Sequence, residues 1–258
     1  MTGSAFIEVD FRQRSKHGQL VPGDVFLSRK IKEEDRVVSV LSDGLGSGVK
    51  ASVLATLTAT MGMKYASSFQ DIRKSAETIM ETLPVCSVRR ISYSTFTIAD
   101  VDGQGQARII EHGNPSFVLL RGGRHVPVPT ETLTLEKWKD RPLASAQFAL
   151  EPGGLLVIFS DGLSQAGIGE QATPLGWGSQ KATELMVELV RKQPEISAGK
   201  LAQALIDQAN RHDHFQPKDD ISCAVIYFRQ PRRLLVLTGP PFSKDRDPEL
   251  ADLALNYE

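Results

Sequence analysis

VVSVLSDGLGSGVKAS, residues 37–52, is the stretch on which the reading of this chain turns. An apolar run ends in Ser42-Asp43-Gly44 and reads as a buried strand. Gly44, Gly46 and Gly48 follow in close order, and a helical pattern begins at once. One carboxylate is thus delivered to a strand end. The backbone around it is flexible enough to bring carbonyl or amide groups up to an ion or a phosphate. Residues 155–162, LLVIFSDG, repeat the arrangement, with a second apolar run that again ends in Ser-Asp-Gly. Two such aspartates, far apart in the chain, point to one shared, oxygen-rich metal site.

Bulk properties narrow the field. At 258 residues the chain can bury a full core in one domain. Its 30 Lys and Arg against 31 Asp and Glu leave no basic excess for a phosphate backbone, so no nucleic-acid partner is expected. No apolar stretch reaches the roughly 18 residues of a membrane span. The opening MTGSAFIEVDFRQR mixes acids and bases and lacks the apolar core of a secretory signal. Membrane association is therefore not expected. Cys86 and Cys223 have no CxxC spacing, which argues against zinc and against a disulfide framework. A reduced, cytoplasmic setting fits best.

Outward from the opening motif, the chain alternates sheets and helices. Strands are expected over residues 5–11, 25–32 and 36–42, with Glu33-Glu34-Asp35 as a charged hairpin tip. Helices follow over 47–65 and 70–83, the second ended by Pro84. Further strands are expected over 93–101, 107–111, 116–121, 124–128 and 155–160, helices over 182–192 and 198–210, and strands over 221–228 and 233–237. Hairpin-sized loops make the sheets mainly antiparallel, so the fold class is α+β with helices layered on sheets. Residues 1–232 are read as one domain. Residues 233–258, turn-rich and charged, are read as a tail or linker.

Acidic residues gather at the expected element ends: Asp24 before a strand, Asp43 and Asp161 after strands, Asp219-Asp220 before a strand. Hard divalent cations such as magnesium and manganese take carboxylates, carbonyls and water, and this set offers no sulfur. Any one of these residues could equally be a turn or cap aspartate. As a set, two of them in Ser-Asp-Gly, they favour the metal site.

The chain resembles the metal-dependent serine/threonine phosphatases of the type 2C superfamily, in particular the bacterial branch of the stage II sporulation protein E phosphatase domain. The resemblance rests on Pro22-Gly23-Asp24, the loop from Ser42 to Gly48, Gly113-Asn114-Pro115, Phe159-Ser160-Asp161-Gly162 and Lys218-Asp219-Asp220-Ile221-Ser222. Each is short, but all five stand in the right order. The resemblance implies two stacked antiparallel sheets flanked by helices. It also implies two divalent cations, manganese or magnesium. Asp43 would bridge them, Asp24 and the carbonyl of Gly44 would complete one, and Asp161 and Asp219 would hold the other. Asp220, where the superfamily often has Asn, becomes a supporting group. Asp43, Asp161 and Asp219 are then the residues that carry catalysis, through water whose pKa the ions lower. The implied substrate is a phosphoserine or phosphothreonine of a regulatory protein, such as an anti-sigma-factor antagonist. Plant and animal members usually carry a helical insert near the active site and a basic residue on the phosphate; this chain shows no convincing insert, and its sequence leaves open which side chain binds the phosphate.

Rival chemistries fail in detail. A P-loop needs Gly-Lys-Ser/Thr, and Gly48-Val49-Lys50-Ala51 breaks it. A nucleophile elbow at Gly162-Leu163-Ser164-Gln165 would need glycine where Ala166 stands. Among the histidines, His112, His125, His212 and His214 offer bases without a supporting pattern, and His212-Asp213-His214 reads as a solvated loop. One alternative stays open: a phosphatase-like module that binds regulatory partners without turnover.

Overall fold

Both faces of the strand at 221–229 are apolar, and the fold shows why. In a computed structural model, which describes residues 6–68, 72–82, 94–133 and 143–229, this strand lies inside a four-layer arrangement. The first sheet runs β1 (Phe6–Arg14), β11 (Ile221–Arg229), β10 (Gly154–Phe159), β6 (Val118–Arg121), β7 (Arg124–His125). The second runs β2 (Asp24–Ile31), β3 (Arg36–Gly44), β4 (Ser94–Asp102), β5 (Gln106–His112), β9 (Leu143–Ala149), β8 (Glu131–Leu133). All neighbouring strands are antiparallel. Alternate residues of a strand point to opposite faces. Accordingly Cys223, Val225 and Tyr227 of β11 pack toward α3 (Ser179–Lys192) and α4 (Ala198–His212), while Ala224, Ile226 and Phe228 pack toward the second sheet. On the far side, Val38 and Val40 of β3 pack with α1 (Gly48–Ser68) and α2 (Ile72–Thr82). The described residues are therefore an α-β-β-α sandwich and belong to one compact unit.

Several expected boundaries shift for identifiable reasons. β3 runs on through Asp43 and Gly44, which pair with Thr95 and Ser94. Asp43 is thus held by a strand ladder rather than by a loop. Strands β8 and β9 were not expected, since LASAQFA has no β-branched residue to announce it. The strand expected over 124–128 stops at His125, because Pro127 and Pro129 have no N–H for a ladder. The charged tip is a 3-10 turn, Lys32–Glu34. The strand expected over 233–237 and the tail over 233–258 lie outside the described residues.

Helix α1 is tied down at both ends. Its buried face is small, with Ala51, Ala55, Thr58, Ala59, Gly62 and Ala66. Such a face lets the helix axis come close to β3: a Cβ on Gly62 would meet Val40 Cγ1 at 3.2 Å. At the C-terminal end, Arg36 of β3 donates to the Ala66 carbonyl at 3.0 Å and to Asp100 Oδ2 at 2.9 Å. Asp100 is buried, which raises its pKa against the pull of the Arg108 and Arg36 guanidinia. Removing one partner of a buried pair leaves the other charge uncompensated. Asp100→Asn is expected to cost about 3 kcal/mol of unfolding free energy in a urea titration. A loss below about 1 kcal/mol would show that the Arg36 tie is dispensable.

Candidate metal centre

Antiparallel register brings the aspartates together. Asp24 opens β2 and pairs directly with Asp43 near the end of β3. In the other sheet β10 ends at Phe159, which pairs with Cys223 near the start of β11. Asp161, two residues beyond β10, and Asp219, two before β11, therefore meet at the same end of the sandwich. A cleft of about 350 Å³ opens there, lined by Asp43, Gly44, Asp161 and Asp219 with Ser94, Thr95 and His112. Asp24 lies behind it, 3% exposed.

Two close approaches fix the geometry. A Cβ on Gly44 would sit 2.2 Å from the Ala51 carbonyl oxygen, so only glycine lets the strand end press against the first turn of α1. A Cβ on Gly162 would sit 2.1 Å from the Asp220 carbonyl oxygen, so only glycine lets the chain leaving β10 pass this close to the chain entering β11, behind Asp161 and Asp219. Hydrogen bonds complete the frame. Ser94 Oγ donates to the Asp43 carbonyl at 2.9 Å, and Gln165 Nε2 donates to Asp161 Oδ2 at 2.9 Å. Gln13 spans the sheets, donating to the Asp24 carbonyl at 3.1 Å and to Ser222 Oγ at 3.0 Å. The carboxylate of Asp220 accepts from the amides of Gly23 at 2.7 Å and Lys16 at 2.9 Å, so it braces the loop before β2.

The electrostatics are those of crowded anions. Asp43 is held far above the usual carboxylate range, first by burial and then by the charges of Asp24, Asp161 and Asp219. Burial also raises Asp24, as does the charge of Asp220, against the pull of the Ser222 and Ser160 hydroxyls. Asp219 rises for the same first reason; the Asp220 amide and the Lys16 ammonium oppose the rise, and the charge of Asp161 adds to it. Asp43 is the member whose rise draws on the charges of the other three.

The residues fit a divalent metal centre. Asp24 Oδ2 is buried with no hydrogen-bond partner among the described residues, an acceptor without a donor. Among those residues no group of three or more His, Cys, Asp or Glu side chains stands close enough to hold a metal ion by itself. Magnesium seldom uses such a group: it binds one or two carboxylates and keeps several waters. Asp24 and Asp43 with the Gly44 carbonyl could supply one such open donor set, and Asp43 with Asp161 or Asp219 another, with water completing each.

Other sequence candidates are placed elsewhere. His212 packs on Trp177 with ring centroids 5.2 Å apart. The expectation of a solvated loop there fails for Asp213, which is buried and accepts from the Gly167 amide at 2.7 Å. Of the four histidines named above, only His112 lines the cleft. In sequence it stands directly before Gly113-Asn114-Pro115, but its place on the cleft wall comes from the pairing of β5 with β4.

The fold is that of the type 2C phosphatases. The family model for Stage II sporulation protein E (SpoIIE) matches residues 33–229, and the chain belongs to that family. Among solved structures it is similar to the phosphatase domain of the cell-fate determinant SpoIIE from Bacillus subtilis (TM-score 0.65, 19% identity, covering 93% of this chain and 100% of that one). It is also similar to the RsbU and RsbW domains of a Mycobacterium tuberculosis protein (TM-score 0.72, 18% identity, 98% of this chain and 69% of that one). A third is RsbX in complex with magnesium (TM-score 0.59, 18% identity, 85% and 94%). No curated protein sequence matches the chain. Among the described residues, no helix is long and apolar enough to cross a membrane.

The raised carboxyls have a consequence for stability. A group whose folded pKa exceeds its unfolded value binds more protons when folded, so stability falls as pH rises past the unfolded value. For Asp24, Asp43 and Asp219 that value is 3.8. The metal-free protein should therefore lose melting temperature steadily from pH 5 to pH 8, and manganese should restore it at pH 8. Asp43→Asn should flatten the slope and abolish the manganese shift. A metal-free melting temperature that rises over this range would contradict the assignment.

Proposed function

We propose that this chain is a divalent-metal-dependent phosphoprotein phosphatase that hydrolyses a phosphoserine or phosphothreonine monoester on a regulatory protein. The observation that carries the reading is the convergence of Asp24, Asp43, Asp161 and Asp219 from two sheets on one open cleft, with an unpartnered buried carboxylate oxygen behind it. Two bound manganese or magnesium ions would supply a water of lowered pKa and counter-charge for the phosphoryl oxygens.

The chain's own residues do the rest. Asp43 lies between the two donor sets and would serve both. Ser94 holds its backbone and Gln165 holds Asp161, so neither carboxylate needs to reorganise when substrate arrives. Asp220 holds the loop that carries Asp24 and touches no substrate. The cleft has a volume of about 350 Å³, and among the described residues His112 is the one titratable group on its wall besides the acids. No covalent intermediate is needed: Ser94, the serine on the wall, is committed to the Asp43 carbonyl at 2.9 Å. Membership of the SpoIIE family supports a regulatory phosphoprotein as substrate, of the anti-sigma-factor-antagonist kind. Under this reading the protein works in the cytoplasm, and the buried free thiol of Cys223 fits a reducing compartment.

Hydrolysis of p-nitrophenyl phosphate and of a phosphoserine peptide should require added manganese or magnesium and cease with chelator. Full turnover by a metal-stripped protein would end the reading. The acids should also rank: Asp43→Asn should lower kcat by about a thousandfold, and Asp220→Asn by about 10–100-fold, as for residues that only orient ligands. A mild Asp43→Asn beside an inactive Asp220→Asn would reverse the assignment.

A further inference from the structure

Three acids line the cleft with a fourth, Asp24, behind them, and among the described residues no lysine or arginine lines it, yet its expected occupant is a phosphate dianion. Bound ions offset part of that charge. A phosphate also gains from a cation that can donate hydrogen bonds to its outer oxygens.

One side chain is placed to do this. Strand β1 ends at Arg14, which pairs with Ile221 at the start of β11. The next residues therefore emerge beside Asp219 and Asp220. There the backbone of Lys16 is fixed: its amide donates to Asp220 Oδ1 at 2.9 Å, and its carbonyl accepts from Gln19 N at 3.0 Å. The neighbouring His17 amide donates to the Pro217 carbonyl at 2.8 Å. The side chain is half-buried, and its ammonium forms no ion pair among the described residues. In the register that pairs Arg14 with Ile221, Lys16, two residues beyond Arg14, stands level with Asp219, two residues before Ile221. Lys218 is the other candidate by sequence, next to Asp219, but it is engaged elsewhere: its ammonium donates to the Ile168 carbonyl at 2.6 Å and pairs with Glu170 at 3.2 Å. A lysine suits the role, being a compact charge with three rotatable donors on a flexible stem.

We propose that the Lys16 ammonium binds the phosphoryl oxygens of the substrate at the Asp219 side of the cleft, and so acts as the chain's phosphate-binding cation. The inference rests on the phosphatase reading for the identity of the substrate but not for the presence of the site. It also gives Asp220 a second task. By holding the Lys16 amide, Asp220 links the position of the phosphate-binding residue to the strand end that carries Asp219.

The test uses the full chain loaded with manganese, with inorganic phosphate as the probe. Calorimetry should show Lys16→Ala binding phosphate about tenfold more weakly than wild type, a difference of about 1.4 kcal/mol. Lys16→Arg should stay within about threefold of wild type, since the charge and donors remain. Manganese affinity measured without phosphate should be unchanged or tighter in Lys16→Ala, because a cation near the ligands has been removed. KM for p-nitrophenyl phosphate should rise about as much as phosphate binding weakens. Unchanged phosphate affinity in Lys16→Ala overturns the proposal. So does a parallel loss of manganese affinity, which would mark a structural role. If the wild type binds phosphate through Lys16 yet turns nothing over, the phosphatase reading fails and this one stands. If it turns over substrate and Lys16→Ala is indistinguishable from it, only this one fails. If it neither turns over nor binds phosphate, both fail.

Discussion

Four aspartates at one end of a two-sheet sandwich repel one another, and the rest of the structure is arranged around that repulsion. Two like charges about 4 Å apart cost about 4 kcal/mol at the effective dielectric of a protein surface. That is a large share of the roughly 5–15 kcal/mol by which a domain is stable. Burial makes it worse, and Asp24 and Asp43 respond by holding protons far above the ordinary carboxylate range. A fold selected for stability alone would not gather these charges. Their concentration at one cleft is the signature of a site whose anions are meant to be neutralised by something bound.

The frame around the acids keeps them from moving apart. Asp43 is fixed by its ladder to β4, Asp24 by its ladder to Asp43, and both sheets are joined by Gln13. The interior between the sheets is clamped by ring pairs, Phe11 with Phe26 and Phe117 with Phe148, whose members come from opposite sheets or their edges. Glycines at 44 and 162 allow backbone contacts that a side chain would forbid. Behind the cleft, buried Glu111, pushed up to about 8 by burial, accepts from the Phe117 amide at 2.9 Å and pins the turn that carries Gly113 on the cleft wall. Repulsion is thus opposed by many modest, well-directed contacts, and the donor groups stay close enough to share ions.

Much of this was legible in the chain because strand ends are marked by chemistry. Ser-Asp-Gly after an apolar run signals both where a strand stops and that an acid stands there, so Asp43 and Asp161 could be singled out directly. Asp24 and Asp219 were found by their place beside turn residues and by resemblance to the phosphatase family. The stacking of the sheets was legible only through that resemblance, since periodicity reports which faces are buried and not against what. LASAQFA was missed because small residues carry no strand preference, although β5 pairs along its length. Lys16 was missed because its significance comes from the register of β1 with β11, more than 200 residues away in sequence, and no local pattern announces it.

The central claim is that crowded carboxyls at the strand ends hold protons that metal ions displace. Isothermal titration of the metal-free protein with manganese, repeated in buffers of different ionisation enthalpy at pH 7, measures this directly. The account predicts binding accompanied by proton release, so that the apparent enthalpy changes with the buffer, and loss of that dependence in Asp43→Asn. Manganese binding with no change in protonation, or no binding at all, would contradict it.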